Sequence, residues 1–226
     1  MGGTWTCLPR DPAVPGMMEP LISHPRSAWG GIVGPAAFVS AWLVGGAMRR
    51  GYMPVDAGIS RLAAVGAPTR PLMMAGFVGF GVGVPVYAVA LRGSVPGSAW
   101  KTAAGTGLAT LGVAAFPLDA SSMTAVVHRG FAVLGYVTLA ATPLLAARPL
   151  AAAGHRRAAM ASVATGVGSG LCLAAAVLGP AEGLLQRLGL TLGDAWLVAS
   201  AAWMLSGGRA VPRQPEGPGG AAVHTR

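Results

Sequence analysis

The chain has 226 residues, of which 53% are hydrophobic and only 10% charged, where a soluble domain carries about 25% charged residues. That surplus of apolar surface has to face lipid. The net charge of +9 does not mark a nucleic-acid binder, because Arg49/Arg50, Arg92, Lys101, Arg148 and Arg156/Arg157 flank apolar runs instead of forming a basic stripe.

Residues 1–28 contain Asp11 and Glu19 and have no apolar core, so they do not read as a signal peptide. They are expected to be a disordered cytoplasmic leader, with Met17 or Met18 as alternative starts. Six apolar stretches follow, at about 30–48, 71–91, 99–118, 128–148, 158–179 and 193–207. Arg49 and Arg50 stop the first. Pro71 suits the first turn of the second. Trp100 and Lys101 anchor the third, which ends at Phe116-Pro117-Leu118-Asp119. Gly179-Pro180 closes the fifth. The sixth is short, with Asp194 expected as its N-cap, and Ala181 to Leu188 is expected to form a short interfacial helix. The expectation is an all-α bundle of six transmembrane helices over 29–207, with a disordered cytoplasmic tail over 208–226.

Several small-residue pairs, Gly30/Gly34, Gly79/Gly83 and Gly166/Gly170, stand four apart and predict close helix approach. Pro35, Pro85 and Pro143 predict kinks. In the connection 49–70, Asp56 can cap a short helix. Ile59, Leu62 and Ala63 then share one face and Gly66 ends it, which predicts a short amphipathic helix on the bilayer surface.

The run Arg50-Gly51-Tyr52, then Ile59-Ser60-Arg61-Leu62-Ala63-Ala64 and Gly66-Ala67-Pro68, resembles the first loop of the DUF998 family of bacterial integral membrane proteins. The Phe116-Pro117-Leu118-Asp119 turn followed by His128 is also similar to that family. The resemblance covers roughly residues 30–206. It implies the six-span fold and no particular activity. Members of the family often carry an acidic residue where Arg61 stands.

Four carboxylates occur between the first and last stretches: Asp56, Asp119, Glu182 and Asp194. All follow an odd-numbered stretch, so in a six-span chain they share one face. Counting Lys and Arg, cytoplasmic termini place ten inside and six outside, which orients that face outward from a bacterial plasma membrane. Fifteen arginines against one lysine, with abundant Ala, Gly, Val and Pro, suggest a GC-rich, actinobacterium-like source.

The strongest polar pair is Asp119 and His128, which bracket the turn between the third and fourth stretches. A carboxylate orienting an imidazole makes a general base, and the same pair can offer two metal ligands. Equally, Asp119 can cap the turn through the amides of Ser121 and Ser122 while His128 sits at the interface. Asp56, Arg70, Arg129 and Asp194 are candidate ligand-binding groups at the same face. No CxxC, HxxxH, GxSxG or Walker motif occurs and no pair of span histidines could hold haem, so no metal or cofactor is expected. Cys7 and Cys172 are placed too differently to pair. No charge is expected in mid-membrane, which speaks against proton coupling. Two functions remain open. One is an integral membrane protein that binds a lipid or other amphipathic ligand at its extracytoplasmic face. The other is a membrane enzyme acting on a lipid or isoprenoid through Asp119 and His128.

Overall fold

A computed structural model describes residues 25–210. Six helices run in chain order: α1 (Gly30–Met48), α2 (Arg70–Ser94), α3 (Ala99–Ala115), α4 (Ser122–Ala152), α5 (Arg156–Leu178) and α6 (Glu182–Leu205). Each packs antiparallel against its sequence neighbours, and α6 returns to α1 to close a ring. Five of the six are long and apolar enough to cross a membrane. The remaining one, α3, has 17 residues, or about 25 Å of helix, close to the hydrocarbon thickness of about 30 Å. Valines and leucines line the outside of the ring: Val33 and Leu43 on α1, Val78, Val82 and Val89 on α2, Leu171 and Leu178 on α5 are all exposed. Water would not tolerate such a belt.

Local signals set the helix ends. Arg49 caps α1 through its backbone N–H to the Gly45 carbonyl. Pro71 sits in the first turn of α2, where a missing N–H costs nothing. Ser121 caps α4 in a capping box with Thr124, the two side chains each bonding the other's backbone N–H. Asp119 therefore does not cap this helix. It stands in the preceding turn at φ 66°.

The glycine pairs do what their spacing predicts. At Gly30 an added Cβ would lie 2.2 Å from the Gly83 carbonyl oxygen, and at Gly83 it would lie 2.9 Å from the Gly34 Cα. Thus α1 and α2 touch backbone to backbone. Gly166 is closed in the same way by Leu144 and the Ala140 carbonyl of α4. Between α3 and α4 a hydroxyl ladder takes over: Thr106 donates to Thr138 at 2.9 Å and Thr142 to Thr102 at 2.9 Å.

Three expectations change. The folded segment begins before residue 29, because Pro25–Trp29 forms a 3-10 turn packed on α2 and α6 with Ala28 fully buried; the rest of the expected leader lies outside the described residues. At the other end Ala210 is buried and its N–H donates to the Ser94 carbonyl at 2.8 Å, while residues 211–226 lie outside the described residues. Finally, the sixth span does not start at 193. Helix α6 is one continuous element from Glu182, so the expected interfacial helix and last span are a single rod. Asp194 is then not an N-cap but lies in its middle.

Candidate functional site

The connections α1–α2, α3–α4 and α5–α6 share one end of the ring, here the capped face. Its cap is the segment 49–69. Ile59, Leu62 and Ala63 form the shared apolar face that their spacing predicts, but on a five-residue 3-10 turn (Ile59–Ala63) preceded by Gly58, not capped by Asp56. That face is buried on α1, α2 and α6 instead of lying on lipid. Asp56 itself is exposed.

Arginine 187, on the second turn of α6, holds the cap down. Its Nη1 donates to the carbonyls of Pro54 at 2.6 Å, Ala57 at 3.1 Å and Gly183 at 2.7 Å. Its Nη2 donates to the Tyr52 hydroxyl. That hydroxyl in turn donates to the Ala57 and Gly58 carbonyls. The guanidinium also lies over the rings of Trp42, at 5.4 Å, and Tyr52. A planar fork meets several carbonyls and two ring faces at once, which an ammonium cannot do. Burial pushes the Tyr52 phenol above its ordinary range, and the Arg187 charge and hydrogen bond oppose that rise. The Leu184 N–H adds a backbone bond to the Val55 carbonyl at 2.9 Å. Gly183 is needed here, since a Cβ would run into the Pro54 and Ala57 carbonyls.

Next to Arg187, Gln186 joins the cap to the bundle interior. Its Oε1 accepts from the Ile59 N–H at 2.7 Å, and its Nε2 donates to the Tyr136 hydroxyl of α4. Tyr136 borders two spaces. On one side is an internal cavity of about 50 Å³ between Phe38, Phe77, Phe80, Gln186 and Leu190, roofed by Ile59 and Ser60. On the other is a groove of about 660 Å³ between α4 and α5, walled by Val133, Val137, Ala141, Leu171, Ala174 and Leu178.

The residues singled out from the sequence are dispersed around this site. Asp119 is exposed, and its carboxylate lies 3.8 Å from Arg61. His128 is buried, and its Nδ1 sits 2.8 Å from the Phe116 carbonyl. A carbonyl only accepts, so Nδ1 carries the proton and the ring ties the end of α3 to α4. The two side chains thus point to different partners. Arg70 is half-buried at the start of α2 and Arg129 is exposed on α4, one turn above Val133. Asp194 is the outlier. It is buried in the middle of α6, a helix long and apolar enough to cross a membrane, so an ionisable group does lie at mid-helix, against expectation. Gln186 and Arg187 were missed because their polarity reads as interfacial until the cap is folded over them. Among the described residues no group of three or more His, Cys, Asp or Glu could hold a metal ion.

A closed ring of six apolar antiparallel helices, with a polar cap at one end and an aliphatic belt outside, defines a multi-pass α-helical membrane protein. The chain belongs to the family described as "Protein of unknown function (DUF998)", whose model matches residues 32–203. No curated protein and no solved structure matches it.

Proposed function

We propose that the protein binds a lipid or other amphipathic molecule, with its chain in the α4–α5 groove and its polar group at the capped face. The observation that carries this reading is Tyr136. It forms part of the groove wall and is wired through Gln186 to the cap. A volume of about 660 Å³ with an almost wholly apolar lining falls in the range of roughly 300–1,000 Å³ usual for small-molecule sites. Arg129 stands one turn above Val133 on the same face of α4, where a guanidinium can meet an anionic headgroup. An occupied groove would press on Tyr136, and the Gln186 link would carry that to the cap. In this reading the capped face is extracytoplasmic, the termini are cytoplasmic, and the membrane is a bacterial plasma membrane.

The enzyme reading has less support, because the carboxylate of Asp119 is turned to Arg61 and the ring of His128 to a backbone carbonyl. Native mass spectrometry of the detergent-purified protein tests the binding reading. A retained lipid is expected, reduced by Arg129→Ala and by Ala174→Phe, which fills the groove from an exposed lining position. Equal lipid retention in both variants would reject the groove as the site.

A further inference from the structure

Asp194 stands twelve residues after Glu182 and eleven before Leu205, about 18 Å along the axis from the capped end. It is 3% exposed, and neither carboxylate oxygen has a hydrogen-bond partner among the described residues. A carboxyl at the centre of a spanning helix is costly on insertion scales, where Leu would be favourable. Buried polar atoms are almost always paired. An orphaned carboxyl buried at mid-helix therefore needs an occupant that the described side chains do not supply.

Its surroundings narrow the occupant. Arg187, Asp194 and Ala201 are seven apart and stay on one side of α6, drifting only about 20° per step. That side faces α1: Arg187 covers Trp42, and Ala201 meets the space beside Gly31. Halfway between, Asp194 comes level with the Pro35–Phe38 stretch, which offers no ionisable group; indeed α1 has none over its whole length. The ionisable groups of the other elements packed on α6 are engaged or distant. On α2, Tyr87 is bonded to Ser200 at 2.7 Å, while Arg70 and Arg92 stand at its ends. On α4, Tyr136 is held by Gln186 and His128 by Phe116, and Arg129 and Arg148 are exposed. On α5, Arg156 and Arg157 are exposed at the far end and Cys172 is half-buried. Arg26, on the 3-10 turn before α1, is exposed, as is Glu182 at the start of α6. Arg61, on the cap's own turn, is exposed against Asp119. On α6 itself, Arg187 is spent on the cap two turns away.

With no cationic side chain in reach among the described residues and an apolar wall opposite, the smallest cation fits best. We propose that Asp194 is a reversible proton-binding site in the membrane interior, buried in the seam between α1 and α6. An ionised carboxylate without a partner is not stable in such a place, so release of the proton requires water to reach the seam. That seam is the least extensively packed junction of neighbouring helices in the ring, and its capped end is the one closed by Arg187. Proton release at Asp194 and loosening of α1 from α6 are therefore one event.

Infrared difference spectroscopy on the reconstituted full chain, with aspartate carboxyls carbon-13 labelled, reads this directly. A labelled carboxylic-acid carbonyl band is expected that converts to carboxylate as pH rises and disappears from the difference spectrum in Asp194→Asn. Asp194→Glu supplies a second variant: it keeps an acid at the site but moves the band out of the labelled set. A band assigned to Asp194 that never titrates while the protein stays folded would show a fixed structural acid and overturn the proposal. Absence of any such band at every pH would show a permanently ionised carboxylate held by another cation, and would overturn it equally. Neither result depends on whether a lipid occupies the α4–α5 groove.

Discussion

Replacing Arg187 with Lys should open the cap without unfolding the bundle. The guanidinium makes three bonds across to the segment 49–69, to Pro54, Ala57 and Tyr52, besides the one to Gly183 on its own helix. A lysine keeps the charge but, as a single point donor, cannot span the carbonyls and the phenol together, and it loses the ring stacking on Trp42. Hydrogen bonds to a charged group contribute about 1.5–3 kcal/mol each. Part of that returns, because an ammonium is better hydrated and the loosened cap lets water reach it. A net loss of about 3 kcal/mol in cap closure is the expected scale, equivalent to about a hundredfold. Hydrogen–deuterium exchange in detergent micelles reads this at the Ile59 and Leu184 amides, which bond to Gln186 and to the Val55 carbonyl respectively. Exchange there should accelerate about a hundredfold, while amides in the α2 and α3 interiors keep their protection. Unchanged exchange at Ile59 and Leu184 would refute the role given to Arg187. Equal acceleration in α2 and α3 would show that it holds the whole bundle and not the cap.

Gln186→Leu leaves the Ile59 N–H unpaired and the Tyr136 hydroxyl without its donor, so thermal unfolding should show a loss of about 2 kcal/mol. Asp119→Gly should raise stability by up to about 1 kcal/mol in the same assay, because it relieves a left-handed backbone and gives up only an exposed ion pair. Gly83→Val should destroy the α1–α2 contact, where a Cβ already meets the Gly30 carbonyl and Gly34, and fluorescence-detected size exclusion should show an aggregated or absent peak. Topology is checked with single cysteines in a background lacking Cys7 and Cys172: on intact cells Ser122→Cys should react with an impermeant thiol reagent and His155→Cys should not, and the reverse would invert the protein.

The sequence was readable wherever one helix or one contact pair carried the information. Apolar run length placed the first five spans, and the four-residue glycine spacing foretold close helix approach, which Gly30 and Gly83 realise between α1 and α2. The shared face of Ile59, Leu62 and Ala63 was also visible, although its partner was not lipid but the bundle. What could not be read was long-range pairing. Pro180 and the polar run from Glu182 to Arg187 look like an end followed by an interfacial helix, because nothing local reveals that carbonyls more than 120 residues upstream accept from Arg187. With that run misplaced, Asp194 looked like a cap when it is a buried residue at mid-helix. The pairing of Asp119 with His128 failed for a related reason. Nearness across a turn does not fix direction: the imidazole is bonded to the Phe116 backbone carbonyl, and the solvated carboxylate faces Arg61.

The groove is tested most directly by photo-crosslinking the reconstituted protein with a phospholipid that carries a diazirine in one acyl chain, followed by peptide mapping. Adducts concentrated on the α4 and α5 lining, around Tyr136, Val137, Leu171 and Ala174, and depleted in Ala174→Phe, are the predicted result. Adducts spread evenly over the exposed valines of α1 and α2, with none favoured between α4 and α5, would contradict it.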